Sequence, residues 1–255
     1  MGDNKTVSDT VYQSASDKSQ QNPVILSPEQ SRTLYSKITW RLIPLLFICY
    51  IIAYVDRINV GFAKLQLQEV LGMDNSVFGS VYGLGAGLFF IGYFLFEVPS
   101  NLILQRIGAR IWIARIMIVW GIVSSAMMFT GSTTAFYFIR FLLGVAEAGF
   151  YPGVILYMTY WLPETERDHT VALFATGTVI AGIVGSPLSG AILELHGLDG
   201  LEGWQRLFLL EGIPAVILGL VVIPDRPRNA RWLSSAEKAW IQRYHIYAYY
   251  RIPFG

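Results

Sequence analysis

Residues 43–62 read IPLLFICYIIAYVDRINVGF, an apolar run of bilayer-spanning length that contains the adjacent charged residues Asp56 and Arg57. About 20 apolar residues suffice for a helix to cross the hydrocarbon core of a membrane. A charged side chain at that depth costs roughly 2.5–3.5 kcal/mol on insertion scales, so it usually faces a bundle interior or a water-filled path. The stretch therefore predicts a transmembrane helix that carries functional charges.

Five further runs of this kind predict an all-α integral membrane protein with a six-helix bundle. The six predicted spans cover residues 43–62, 78–100, 111–131, 135–161, 171–195 and 205–223. None of them alternates with a two-residue period, which favours helices over a barrel. The composition agrees, because 53% of the residues are hydrophobic and only 15% are charged, against about 25% charged residues in ordinary soluble domains.

Lysine and arginine lie mostly on one side of the predicted spans. They occur in the leader, after spans two and four and after span six, whereas the other side has only Lys64 and Arg206. The positive-inside rule therefore places both termini in the cytoplasm, and we expect a bacterial inner membrane. We divide the chain into a largely disordered cytoplasmic leader (1–40), a transmembrane half-domain (41–225) and a cytoplasmic tail (226–255).

The leader contains one local structural pattern. Ser27, Pro28 and Gln30 have the spacing of a helix start, with the serine as cap, the proline in the first turn and the glutamine reaching back. We expect a short amphipathic helix to begin there and to lead into span one.

Several other classes of function are disfavoured. The net charge is +1 with scattered basic residues, so no nucleic-acid partner is expected. The single cysteine, Cys49, cannot form an intrachain disulfide. The three histidines fall in separate loops or in the tail, so we expect no metal site, no cofactor and no catalytic residue.

Small residues recur at four-residue spacing in spans two and five. The three stripes are Gly79/Gly83/Gly87, Gly177/Ala181/Gly185/Ser189 and Gly182/Ser186/Gly190. Residues at this spacing share one helix face and let backbones approach closely. The stripes therefore predict close helix packing, and a moving interface is a compatible second interpretation.

Arg140 and Glu147 place a cation and an acid in span four, seven residues apart. At about 100° per residue they lie within some 20° of one another on one helix face. A simple ion pair that pins the bundle is one explanation. Asp56 and Arg57 favour another, since adjacent residues point about 100° apart and cannot both serve one pair.

An anion site with proton-accepting neighbours accounts for all four charges. Arg57 and Arg140 are the predicted substrate clamps, because a guanidinium offers a fixed fork of donors that matches a carboxylate. Asp56 and Glu147 are the predicted proton-coupling residues, since burial and a neighbouring arginine shift a carboxylic acid in opposite directions.

Two tyrosines complete the predicted substrate site. Tyr54 in span one and Tyr82 in span two can hydrogen-bond a polyhydroxylated acid. Aromatic residues are equally at home as interfacial anchors or packing, so a binding role and a packing role both remain open.

Four segments resemble the major facilitator superfamily and, within it, the anion:cation symporter branch. They are Tyr54–Asn59 (YVDRIN), Phe96–Asn101 (FEVPSN), Arg140–Gly153 (RFLLGVAEAGFYPG) and Gly185–Gly190 (GSPLSG). The resemblance implies proton-coupled symport of small organic anions by alternating access, with Asp56, Arg57, Arg140 and Glu147 as the core. The segment from Gly149 to Pro163 looks most like bacterial tartrate carriers.

The segment 101–110 (NLILQRIGAR) resembles the gating loop of the superfamily, with Arg106, Gly108 and Arg110 in the matching positions. It departs from the family pattern at two sites, because Asn101 stands where glycine is usual and Gln105 where aspartate is usual. Any charge lock between the halves must therefore use the two arginines with different partners.

Members of this family have two six-helix halves, and the chain resembles only the N-terminal one. The tail begins like the linker between halves and departs from that pattern after residue 243, as a truncated chain would. The expected partners are a small organic anion, protons, the lipid bilayer and either a second half or a second copy. The alternatives are a truncated, non-transporting membrane fragment or a six-helix membrane partner protein, each of which could also self-assemble.

Overall fold

The computed structural model describes residues 26–195, 197, 200–221 and 226–250, with side chains up to residue 242. These residues form nine α-helices and no strand. The helices are α1 (Pro28–Phe62), α2 (Lys64–Val70), α3 (Asn75–Ile107), α4 (Ala109–Ala126), α5 (Thr133–Glu147), α6 (Phe150–Thr159), α7 (Glu164–Leu193), α8 (Gly203–Leu220) and α9 (Ser235–Tyr250).

Six segments are long and apolar enough to cross a membrane: α1, α3, α4 with the turn that follows it, α5 together with α6, α7 and α8. They correspond one for one to the predicted spans, so the predicted all-α six-span bundle is confirmed. Each segment begins before its predicted span, and α3 also ends after it, because hydropathy marks only the apolar part of a longer helix.

Helix α1 begins at the predicted cap. The Ser27 backbone N–H donates to Gln30 Oε1 at 2.9 Å, and the Gln30 N–H donates to Ser27 Oγ at 3.2 Å, which is a capping box. The expected lead-in helix is not separate, because α1 runs unbroken through Pro44 to Phe62. The predicted disorder of the leader falls mainly on residues 1–25, which lie outside the described residues. Residues 251–255, at the end of the predicted tail, also lie outside them.

Span four differs from the prediction, because it is two helices and not one. Helix α5 ends at Glu147, and α6 begins at Phe150 after Gly149, whose φ is 83°. Pro152 lacks the N–H that would bond the carbonyl of Ala148 four residues earlier. The Ser100 hydroxyl of α3 donates to that carbonyl at 2.7 Å instead, so the broken backbone stays satisfied within the bundle.

The bundle is held by three main helix pairs: α4 with α8, α3 with α5, and α1 with α7. Small residues permit the closest approaches. A Cβ added to Gly121 on α4 would lie 2.6 Å from the Gly212 carbonyl oxygen on α8, and the reverse substitution meets the same obstacle. Backbone contact of this kind replaces the hydrophobic drive that is absent between helices in lipid.

One of the predicted small-residue stripes packs as expected. Gly177 of α7 lies against Tyr50 of α1, and Gly185 lies against Val55. The predicted close packing of the other two stripes is wrong within this chain, because the space beside their glycines is open. In α3 the close contacts are made by Gly85 and Gly92, which lie against α5.

Candidate functional site

An ion pair between α1 and the end of α5 forms the centre of the site. Arg57 Nη2 donates to Glu147 Oε1. The Glu147 side chain is 2% exposed, whereas that of Arg57 is 32% exposed. Both residues line a cavity of about 180 Å³, and Arg57 is the more exposed of the two.

Aromatic residues from three helices line this cavity. Its walls are Tyr50, Ala53, Tyr54, Arg57, Tyr93, Glu147, Phe150 and Tyr151. The break between α5 and α6 brings the last residue of one helix and the first two of the next to the same cavity. A site with one cation, one acid and several phenol groups can bind a hydroxylated anion by charge and by hydrogen bonds.

Arg140 lies beside this site without opening into the cavity. It is 2% exposed, and its guanidinium carbon is 4.9 Å from the centre of the Phe89 ring. The Arg57 guanidinium contacts the same ring at 5.5 Å. Arg140 Nε and Nη1 are buried without hydrogen-bond partners, while the charges of Asp56 and Glu147 both act on the guanidinium.

Asp56 lies on a different face of α1 and is not among the residues that line the cavity. It is 1% exposed and accepts three hydrogen bonds. The donors are Trp120 Nε1 at 2.7 Å, the Ser124 hydroxyl, and Asn59 Nδ2 at 3.3 Å. The sequence predicted that neighbours in a helix would face different groups, and the structure separates Asp56 from Arg57 accordingly.

Only one of the two predicted tyrosines lies at the cavity. Tyr54 lines the cavity. Tyr82 does not line it; the Lys64 ammonium lies 5.2 Å from the centre of its ring. The residues of the predicted gating loop are also remote from the cavity: Gly108 joins α3 to α4 with a φ of 101°, and Arg106 and Arg110 are exposed on either side of it.

Sequence reasoning missed Tyr93 and Tyr151 in the cavity, and Trp120 and Ser124 at Asp56. Tyrosine, tryptophan and serine are ordinary residues of membrane helices, so composition gave no reason to single them out. Tyr151 stands four residues after Glu147, but the helix break makes that spacing uninformative. Among the residues that the structure describes, no group of acids, histidines and cysteines could hold a metal ion.

A comparison with family models matches residues 46–253 to the Major Facilitator Superfamily. The chain belongs to the major facilitator superfamily. The match begins within the first span and covers the other five, and together with these helices it identifies an integral membrane protein. It also accounts for the resemblance of the four sequence segments to this superfamily.

Individual members of the superfamily agree. A "Putative tartrate transporter" of Agrobacterium vitis is 53% identical over 221 residues, which are 86% of this chain and 48% of that protein. The "Putative metabolite transport protein NicT" of Pseudomonas putida is 56% identical over 82% of this chain and 48% of its own length. The chain therefore spans about half the length of these relatives.

A solved structure of another superfamily member has the same fold. The inward-open xylose transporter XylE of Escherichia coli matches with a TM-score of 0.66 at 15% identity, over 85% of this chain and 57% of XylE. At this identity the likeness concerns the fold alone.

Proposed function

We propose that this chain is the N-terminal half of a proton-coupled secondary transporter for small organic anions such as tartrate or sugar acids. The observation that carries the proposal is the buried Arg57–Glu147 pair at a tyrosine-lined cavity. A charge pair at membrane depth that a solute can reach on one side is typical of a transport site. The tartrate transporter relative supports the substrate class.

The proposed cycle begins with competition for Arg57. An entering carboxylate offers the guanidinium the same acceptor geometry as Glu147 and displaces it. Glu147 is then left buried without its cation, and a carboxylate in that position takes up a proton. Anion binding and proton binding are thereby coupled, and proton loss accompanies release of the anion to the cytoplasm.

Two further groups support anion binding. Helix α6 begins at Phe150 on the cavity wall, and the N-terminal end of a broken helix favours a negative ligand. Arg140 supplies the second clamp, because its unpartnered Nε and Nη1 become available when the Phe89 ring, which both guanidinium groups contact, moves aside. In the conformation described, Arg140 is buried and does not reach the cavity.

Transport by alternating access requires a partner for the open faces of α3 and α7. The partner in the proposal is a second six-helix half or a second copy of this chain, related to it by an axis along the membrane normal. Both termini lie in the cytoplasm, with the protein in a bacterial inner membrane, as the distribution of lysine and arginine favours.

Uptake of labelled tartrate into proteoliposomes that contain this chain tests the proposal. An acidic exterior is expected to accelerate uptake, and Glu147→Gln is expected to abolish that acceleration, since the amide cannot carry the proton. Glu69→Gln, at an exposed position on α2, is the matched control and is expected to behave like the parent chain.

Two other outcomes are informative. Tartrate binding that depends on Arg57, without any uptake, would contradict transport by this chain alone and favour the non-transporting half. Neither binding nor uptake would contradict the proposed site. Full uptake by Arg140→Lys would count against a forked contact from Arg140, because lysine is a single point charge.

A further inference from the structure

A third buried acid, Glu211, lies in the middle of α8 and takes no part in the cavity. Its residue exposure is 5%. Helix α8 packs against α4, α1 and α7 at this level. The carboxyl group therefore lies inside the bundle at membrane depth, where an ionised acid without a cation is costly.

The hydrogen bonds around Glu211 are incomplete. Ser189 of α7 donates its hydroxyl to Glu211 Oε1 at 2.9 Å, whereas Glu211 Oε2 is buried without a partner. The amide of Asn59 lies beside this carboxyl group. Asn59 is 0% exposed and its Oδ1 also has no partner, while its Nδ2 donates to Asp56.

The charges around Glu211 do not balance an ionised carboxylate. Glu211 takes part in neither the Lys37–Glu237 nor the Arg57–Glu147 ion pair. The charged group that acts on it from the neighbouring helices is Asp56 of α1, another acid. From α7 the facing group is the neutral Ser189.

A single proton on Glu211 would supply the missing hydrogen bond and remove the uncompensated negative charge. A protonated carboxylic acid has one O–H donor. Placed on Glu211 Oε2, it can donate to Asn59 Oδ1, so that both unpartnered acceptors are used and the uncompensated charge disappears. We propose that Glu211 is a proton-binding site that holds its proton in this conformation and is joined through the Asn59 side chain to Asp56.

In this proposal Asp56 is the member of the pair without a proton. Three donors already reach its two oxygens, and the charge of Arg140 acts on it. A carboxylate that accepts two or three hydrogen bonds is favoured in its charged form. The two acids therefore share one proton, and Glu211 holds it, separate from the Arg57–Glu147 pair. This proton site exists whether or not the chain transports anions.

Infrared spectroscopy of the purified chain in lipid nanodiscs at neutral pH tests the proposal. The carbonyl stretch of a protonated carboxylic acid lies apart from the amide bands. Its complete loss in the spectrum of Glu211→Gln, relative to the parent chain, is the expected result. Glutamine can accept from Ser189 and donate to Asn59 as the protonated acid does, so we expect an unchanged melting temperature.

The other variants make the assignment specific. Glu147→Gln is expected to keep the Glu211 band, which separates this proton from the one in the proposed transport cycle. Loss of the band in Asp56→Asn, with no change in Glu211→Gln, would place the proton on Asp56 and overturn the proposal. A Glu211→Gln spectrum identical to that of the parent, or a large fall in its melting temperature, would overturn it as well.

Discussion

Asp56 and Arg57 are neighbours in the chain, but they belong to different surroundings. Arg57 reaches the cavity and Glu147, whereas Asp56 turns towards α4 and three hydrogen-bond donors. The rotation of about 100° per helical residue makes this division unavoidable. The two side chains therefore reach the cavity and the bundle interior from adjacent positions of one helix.

The Trp120 indole donates a hydrogen bond to Asp56, and its removal has a measurable cost. Trp120→Phe is expected to lower the free energy of unfolding by about 1–3 kcal/mol beyond the effect of lost volume, because a buried acceptor loses a donor. Reversible unfolding of the chain in detergent measures this difference.

Trp204→Phe is the matched control for volume. Trp204 is equally buried, and its Nε1 has no hydrogen-bond partner. Equal losses in the two variants would show that packing, and not the bond to Asp56, makes Trp120 important.

At the scale of single residues, charge within apolar runs was the informative feature. It identified Arg57 and Glu147, which the structure brings together, and Arg140 beside them. Glu211 stands in span six with the same feature, so the sequence could have revealed it. Tyr93 and Tyr151 could not be predicted, because their position at the cavity depends on how three helices pack.

The interrupted span four is the main surprise among the helices. Hydropathy does not reveal such an interruption when the apolar run is continuous. The combination of Gly149 and Pro152 does indicate it. The proline frees the carbonyl of Ala148, and no local pattern could have shown that Ser100, on another helix, would bond it.

Ser100→Ala is expected to destabilise the chain by about 1–3 kcal/mol, because two buried groups lose their partner. They are the carbonyl of Ala148, at 2.7 Å from the hydroxyl, and the indole N–H of Trp112, at 2.9 Å. Ser186→Ala is the control, since that exposed hydroxyl only bonds a carbonyl of its own helix. Equal melting temperatures for the two variants would contradict this account.

Helix α9 is tied to α1 by the Lys37–Glu237 ion pair, with a nitrogen–oxygen distance of 3.0 Å. Partial burial alone would raise the pKa of Glu237, but hydrogen bonds from the backbone of Ser234 and from Lys37 outweigh it, so the pKa is lowered. The contact therefore contributes stability above the ordinary pKa of a glutamate and loses it as the pH falls through the lowered value.

Acid is expected to loosen α9 before it unfolds the bundle. Trp232 reports this contact, because its ring stacks on Trp161 at 5.8 Å. Its fluorescence should change in the parent chain as the pH falls below the ordinary pKa of a glutamate, and this change should be absent in Glu237→Gln. The exposed pair contributes only about 0.2–1 kcal/mol, so a global unfolding transition in this range would contradict the expectation.

For the whole molecule, the sequence predicted the helix class, the number of spans and the family resemblance. These properties follow from composition, run length and local motifs. The sequence did not predict which glycines touch a neighbour, because two small-residue faces remain open in this chain. Those faces belong to α3 and α7, the helices with the smallest buried share of their spans.

The open stripes predict where a partner docks. In a Cys49→Ser background, cysteines placed at Gly83 and Gly182 are expected to crosslink two copies in membranes if the chain pairs with itself. A cysteine at Ile122, which is exposed on α4, is the control. Equal crosslinking at all three positions would indicate random collision and contradict a specific interface.

Helix α1 is also continuous from its cap to the cavity. Lys37 and Arg57 are 20 residues apart along it, which is roughly 30 Å at 1.5 Å per residue. A tilt of about 5° pivoting at Arg57 therefore swings the Lys37 end by roughly 2.6 Å, given that helical rise. If α1 tilts as one body, a small rotation at the cavity therefore moves the Lys37 end by a distance comparable to the length of a hydrogen bond.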